Sequence, residues 1–295
     1  MASTLDRQRV RSSIDHLQAE QVVKTIVEAS HNPDTISPVA ALSANSSSEL
    51  EIDGRPVFPG GMGDLMHRFD ELVTKGDGPH LVVTPNVDQM VKLAKDGAAR
   101  AVFEASNILV ADGKPLVWLA RVLGAKNLQR IAGADVLDEC SRESAARGWS
   151  VLILGGPDGA AAEAAARLNA RNPGSQITGI SVPQLALGER MPPEILDQLW
   201  EARPNIVFIC LGFPKQETWY IVNKSNLPRA VYVGAGAAVE FASGFKKRAP
   251  AWIQAIGFEW FFRLAQEPGR LASRYLIDDI YFLQIAIASI RKARK

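Results

Sequence analysis

Short apolar runs recur through the middle of this chain, each stopping at glycine or small polar residues, and between them lie longer stretches with apolar positions three and four apart. Residues 81–83, 108–111, 150–154, 176–180, 206–211 and 230–233 are the short runs; their length and unbroken apolarity predict strands buried on both faces. Residues 62–74, 87–95, 115–123, 134–147, 160–172, 193–202 and 216–224 have helical spacing. Strands alternating with helices predict an α/β fold, doubly wound around a mainly parallel, Rossmann-like sheet. Upstream, Glu-Ile-Asp-Gly-Arg-Pro-Val-Phe at residues 51–58 reads as a short hairpin. Residues 1–49 hold one amphipathic stretch near residues 14–29 and then a Pro- and Ser-containing run, the pattern of a poorly ordered extension.

The pattern changes again after residue 245. Residues 250–265 carry Trp252, Ile253, Ile256, Phe258, Trp260, Phe261 and Phe262, which predicts a helix apolar around most of its circumference. Glu267-Pro268 permits a new helix to start, because proline is tolerated in a first turn. Residues 280–290 are largely apolar and end in Arg291, Lys292, Arg294 and Lys295. Eleven residues are too few to span a bilayer but suit a helix lying in its interface; packing on the core or on a partner subunit is the competing expectation. The chain thus divides into an extension (1–49), an α/β core (50–245) and a basic, aromatic helical appendage (246–295).

A chain of 295 residues with 47% hydrophobic content can bury a full core. Cys140 and Cys210 lie far apart, and Cys210 falls inside an apolar run, so both read as reduced core residues of a cytosolic protein. No stretch has the composition of a signal peptide or a spanning helix. The net charge of +1 conceals an asymmetry: residues 246–295 hold ten Lys and Arg against four Asp and Glu, a net +6, which leaves −5 on the rest. An anionic partner, whether membrane surface, phosphate or nucleic acid, belongs at that basic end.

Candidate chemistry collects where strands end, as ligands do in open α/β sheets. Thr84 and Asn86 follow the run 81–83, and Asp112 follows 108–111. Each also has a plainer role: Thr84 and Asn86 can start the helix at 87, and Asp112 can close an Asp-Gly turn. Leu211-Gly-Phe-Pro-Lys-Gln-Glu217 ends another strand and opens a helix, offering backbone amides, the Gln216 side chain and Lys215 to a polar or anionic ligand. Gly234 and Gly236 end a further strand and would let a ligand approach the backbone. Gly155-Gly-Pro-Asp-Gly159 invites a dinucleotide reading but lacks the Gly-x-Gly-x-x-Gly spacing and its acidic partner. There is no Asp-x-Asp, no metal-spaced histidine pair, no Walker lysine loop and no Gly-x-Ser-x-Gly elbow. A bound diphosphate would therefore fall to cations. Arg263, Arg270 and Arg274, seven and four residues apart, would share one face of a continuous helix and present planar forks to phosphate oxygens.

Taken together, Thr84-Pro-Asn86, Ala111-Asp-Gly113, Arg130-Ile-Ala-Gly-Ala-Asp135, Leu211 to Glu217 and Val233-Gly-Ala-Gly236 resemble the WecG/TagA/CpsF bacterial glycosyltransferases, glycosyltransferase family 26. Lys247-Arg-Ala-Pro-Ala-Trp252, Gly257-Phe-Glu-Trp260 and Arg263-Leu-Ala-Gln-Glu-Pro-Gly-Arg270 extend the resemblance, which runs in order from about residue 50 to 275. It implies an inverting transferase that needs no metal or other cofactor and moves a sugar from a UDP-sugar to a polyprenyl-diphosphate-linked saccharide in cell-surface polysaccharide biosynthesis. It would work on the cytoplasmic face of the membrane as a peripheral protein, without a nucleic-acid partner; a homo-oligomer is left open. On the matching positions Asp112 is implied as general base. Thr84, Asn86, Arg130, Gln216, Gly234 and Gly236 would line the sugar and acceptor pocket, and Arg263, Arg270 and Arg274 would close over the nucleotide diphosphate. One departure from the family pattern is Ala237-Ala-Val-Glu240, where many relatives carry an aromatic and an acid nearer the glycines. An NAD(P)-dependent oxidoreductase and a non-catalytic membrane-docking module are the alternatives from other classes; the first lacks its fingerprint, and the second leaves the polar strand ends unexplained.

Overall fold

The computed structural model describes residues 42–45, 47–95, 97–255, 258–266 and 268–293, with the side chains of 97, 98, 251, 255, 268 and 270–279 excepted. It opens on three antiparallel strands, β1 (Leu42–Ala44), β2 (Leu50–Ile52) and β3 (Arg55–Pro56). Asp53 and Gly54 both have positive φ, 49° and 77°, as the two-residue turn of a twisted hairpin requires. The hairpin expected at residues 51–58 is therefore present. The folded part starts earlier than residue 50, however: Leu42 faces Ile52 and Ala44 faces Leu50 across β1 and β2, and Leu42 is fully buried. A three-residue strand with one inward apolar side chain has too little periodicity to register in sequence. The expectation for residues 1–41 lies outside the described residues.

Helix α1 (Met62–Lys75) leads into β4 (His80–Val83), followed by α2 (Val87–Lys95), α3 (Gly97–Ala105) and β5 (Ile108–Leu109). Next come α4 (Lys114–Leu123), α5 (Gly133–Arg147), β6 (Ser150–Gly155), α6 (Ala160–Arg171), β7 (Gln176–Ile180) and α7 (Pro193–Ala202). Strand β8 (Ile206–Cys210), α8 (Lys215–Asn223), β9 (Val231–Gly234) and the short α9 (Ala238–Ala242) complete the core. Every expected strand and helix of the core appears within a residue or two, with β5 stopping at Leu109; α3 and α9 were not anticipated.

The six longer-range strands form one parallel sheet in the order β5-β4-β9-β8-β6-β7. Alternation along the strands divides the core in two. Leu81, Val83, Leu152, Leu154, Val207, Ile209 and Tyr232 pack on one side with α2, α3, α4, α7 and α8. Val82, Val151, Ile153, Ile206, Phe208, Val231 and Val233 pack on the other with α1, α5, α6 and α9. Both faces are covered, which is why the strands read as unbroken apolar runs. The connection after β6 leads outward to β7 whereas that after β8 leads back to β9, so a crevice opens at their carboxyl ends.

The appendage departs from its sequence reading. In place of one helix over residues 250–265 there are two, α10 (Ala251–Ala255) and α11 (Glu259–Gln266). The final helix, α12 (Pro268–Ala293), runs for 26 residues, so residues 280–290 are part of a longer element. Phe282, Ile285 and Ser289 of α12 are buried, and the helix packs on α2, α4 and β1. Its other face leaves Ile280, Leu283 and Ile287 half exposed or more. No helix among the described residues is long and apolar enough to cross a membrane.

Candidate active site

The carboxyl ends of β4, β6, β8 and β9 surround a cavity of about 870 Å³. Thr84, Asn86, Asp112, Gln216, Gly234 and Gly236 all line it, as do Arg248 and Arg263 from the appendage. The strand-end residues singled out in the sequence, from Thr84 to Gly236, are thus brought to one crevice.

Asp112 stands between β5 and α4. Its backbone N–H donates to the Pro85 carbonyl at 2.8 Å, extending the β4 pairing past the strand, and Gly113 takes φ 115° as the cap of α4, a conformation glycine adopts without steric cost. The Asp112 side chain is 26% exposed. Burial pushes its carboxyl up from the ordinary range to about 6, opposed by Arg130 and Arg263 and helped by Glu259 and Asp135. A carboxyl poised near 6 is largely ionised at neutral pH and still basic enough to take a proton.

Thr84 is buried and donates through Oγ1 to the Gly234 carbonyl at 3.0 Å, tying the end of β4 to the end of β9. Asn86 accepts the Gln89 N–H through Oδ1 at 3.1 Å. The plainer reading of Asn86 as a helix start therefore holds alongside its place on the cavity wall. Gln216 is 2% exposed; its Oε1 accepts the Gly236 N–H at 3.0 Å and its Nε2 donates to Glu217 Oε1 at 2.7 Å. At Gly234 a β-carbon would lie 2.6 Å from Gln216 Nε2 and 2.7 Å from Glu217 Oε1. What approaches this glycine so closely is the protein's own Gln216-Glu217 pair, rather than a ligand as the sequence invited one to expect. Lys215 donates to the Leu185 carbonyl at 3.0 Å, holding the segment that follows β7 over the cavity.

Arg130 does not line the cavity; it sits behind Asp112. Its Nε lies 4.0 Å from Asp112 Oδ1, while Nη1 and Nη2 donate to Asp135 at 3.2 Å and to Glu259 at 3.1 Å. Arg263 donates to Glu259 at 2.9 Å, and its guanidinium lies 5.0 Å from the Phe241 ring centre. The single-face arrangement of Arg263, Arg270 and Arg274 does not occur, because Arg263 belongs to α11 and the other two to α12, the helix that Pro268 begins. The Arg270 and Arg274 side chains lie outside the described residues.

Four charged residues of this region were not assigned roles from the sequence: Asp135, Glu217, Arg248 and Glu259. Each stood inside a motif already picked out, but nothing in a motif says which of its charges meet. Asp135 and Glu259 together bind Arg130 and lie against Arg248. Glu217 is wholly buried, with Oε2 unpartnered, and burial raises its carboxyl to about 7.

Against known proteins, residues 50–295 match the model of the glycosyl transferase WecG/TagA/CpsF family. The chain is also similar to two proteins named N-acetylglucosaminyldiphosphoundecaprenol N-acetyl-beta-D-mannosaminyltransferase. One, from Bacillus subtilis strain 168, is 28% identical over 193 residues, 64% of this chain and 73% of the relative. The other, from Bacillus spizizenii strain W23, is 28% identical over 189 residues, 64% and 72% respectively. With the match extending over the parallel sheet, the crevice at its carboxyl edge and the arginine-bearing appendage, this chain belongs to the WecG/TagA/CpsF family and is a glycosyltransferase.

Proposed function

We propose that this enzyme transfers a sugar from a UDP-sugar to a hydroxyl of a polyprenyl-diphosphate-linked N-acetylglucosamine, by single displacement with inversion and without a metal. The observation that carries the reading is the Asp112 carboxyl, raised to about 6 on the wall of a cavity that Arg248 and Arg263 also line. The relatives' names supply the acceptor class and the first donor to test, one carrying N-acetylmannosamine.

The chemistry follows from the groups present. Asp112 takes the proton of the attacking hydroxyl as that oxygen bonds to the anomeric carbon; the bond to the UDP oxygen breaks with its electron pair, and the configuration inverts. Negative charge grows on the departing diphosphate. Guanidinium groups fixed beforehand stabilise it without reorganising at the moment of reaction. Arg130 positions Asp112 and opposes the burial that raises its pKa. Thr84, Gln216, Gly234 and Gly236 form one bonded floor, which places polar atoms for the sugars without a mobile loop.

The acceptor is lipid-linked, so the enzyme is read as peripheral on the cytoplasmic face of the membrane. Trp252, Phe258 and Phe261 of the appendage and Ile280, Leu283 and Ile287 of α12 are exposed, and Arg291 and Lys292 follow at the end of α12. Apolar side chains flanked by basic ones suit the headgroup boundary.

A transfer assay with UDP-N-acetylmannosamine and a short-chain prenyl-diphosphate N-acetylglucosamine tests the reading. Asp112→Asn is expected to lower turnover by about 10² to 10⁴ while UDP still binds, and wild-type turnover is expected to survive excess EDTA. Wild-type rates from Asp112→Asn would remove it as the base, and a strict metal requirement would remove the arginine-only account of the leaving group.

A further inference from the structure

Helix α4 buries Leu116, Val117, Leu119 and Ala120 in the core and turns Trp118, Arg121 and Val122 outward. Three and four residues apart, these three share one helical face. Trp118 is 50% exposed and Val122 65%, a large apolar pair that the described chain leaves uncovered. Tryptophan so placed suits a lipid headgroup layer, where its ring rests on hydrocarbon while its N–H still meets water. The charge beside it has one sign. No Asp or Glu occurs between Asp112 and Asp135, whereas Lys114, Arg121, Lys126 and Arg130 all do. Arg130 is engaged beside Asp112, but Arg121 and Lys126 are exposed and, among the described residues, have no carboxylate within ion-pairing distance. The surface also adjoins one already read as facing lipid: α12, with Ile280, Leu283 and Ile287 outward, packs on α4.

We propose that α4 is a second membrane contact, on the catalytic core and separate from the appendage, which docks on anionic lipid headgroups and holds Asp112 close to them. Trp118 and Val122 enter the headgroup boundary, and Arg121 and Lys126 meet lipid phosphates. Charge decides against a second copy of the chain as the occupant, because face-to-face contact would set these cations against their own counterparts. The position of the helix gives the contact a use. Gly113 caps α4 directly after Asp112, and Trp118 lies about 8 Å further along the helix axis. Docking through α12 alone would leave the core free to pivot about that helix; a second contact on α4 removes the freedom and fixes the distance from the bilayer to the carboxyl. That purpose rests on the lipid-linked acceptor proposed above, whereas the binding itself does not.

Sedimentation of the full chain with vesicles tests the contact, using phosphatidylcholine alone or mixed with phosphatidylglycerol. Arg121→Gln with Lys126→Gln is expected to weaken partition onto the anionic vesicles by about tenfold or more, at roughly fivefold per cation near such a surface, and to have no effect on phosphatidylcholine. Trp118→Ser with Val122→Ser should weaken partition onto the anionic vesicles by a similar factor, with an unchanged thermal midpoint because both side chains are exposed. Val122→Cys reports the contact directly, since an environment-sensitive dye can be attached there while Cys140 and Cys210 stay buried. Its emission is expected to shift to the blue on anionic vesicles. An unshifted emission, or wild-type partition in both double variants, overturns the proposal. So does a wild-type dimer that the serine pair converts to monomer without changing partition, which would give this face to a second copy. Turnover separates the proposal from the transferase reading. If both hold, the serine pair lowers transfer to a long-chain acceptor in vesicles and leaves transfer to a short-chain soluble acceptor unchanged. A wild-type protein that transfers no sugar, but whose partition falls in the variants, would remove the transferase reading and leave the docking surface standing.

Discussion

In the proposed reaction, with Asp112 as the base, Asp112 and Arg130 form the pair on which pH dependence turns. Burial raises the Asp112 carboxyl to about 6 and Arg130 restrains the rise, so the ionised base is lost as pH falls through 6. The value of kcat/KM is accordingly expected to fall about tenfold per pH unit below about 6. Arg130→Met removes a cation that favours the ionised form and should move that limb to higher pH. A pH–rate profile that keeps its acid limb in place in Arg130→Met would show that the two groups are not coupled. The residues themselves were legible in the sequence, since Asp112 and Arg130 stand in recognisable motifs. Their relation was not, because nothing in the spacing of 18 positions says that the Arg130 guanidinium lies beside the Asp112 carboxylate but outside the cavity lining.

Among the elements, α12 departs furthest from its sequence pattern. Residues 280–290 are apolar nearly throughout, so periodicity offers no stripe by which to choose between lipid and core. The structure divides the turns between both. Phe282 and Ile285 enter the same core as α2 and β1, while Ile280, Leu283 and Ile287 face outward. Lys95 of α2 also lies over the Tyr281 ring, 3.6 Å from its centre. The two faces should separate in experiment. Replacing Ile280, Leu283 and Ile287 with serine is expected to lower binding to anionic liposomes with little change in unfolding midpoint. Phe282→Ala is expected to cost about 3 kcal/mol, near the low end for a buried phenylalanine, measured by denaturant unfolding. Liposome binding that survives the triple serine variant would move the membrane contact to Trp252, Phe258 and Phe261.

For the whole molecule, Glu217 links the site to stability. Its carboxyl is buried beneath Gly234 and raised to about 7, so between about 4.5 and 7 the folded state holds a proton that the unfolded chain has released. That contribution is fully present below about 4.5, falls as pH rises, and is gone above 7. It amounts to on the order of 3 kcal/mol. Glu217→Gln, which keeps an acceptor for Gln216, should flatten the decline in thermal midpoint between pH 4.5 and 7, and a decline as steep as in the wild type would show that Glu217 does not carry it. A buried glutamate of this kind gives no sequence signal, as its motif equally fits an exposed first-turn acid. The alternation of apolar runs and helical stretches by itself determined the doubly wound core, because strands buried on both faces must be apolar throughout. Motif order determined the family and the strand-end residues. Only the tertiary structure decided that β1 and α12, from opposite ends of the described chain, close one face of the core. It alone decided that Arg263 parts from the helix of Arg270 and Arg274, and that Asp135 and Glu259 gather three arginines beside Asp112. Periodicity records which side of an element is buried, whereas ion pairing across 129 residues, as between Arg130 and Glu259, depends on how the elements meet.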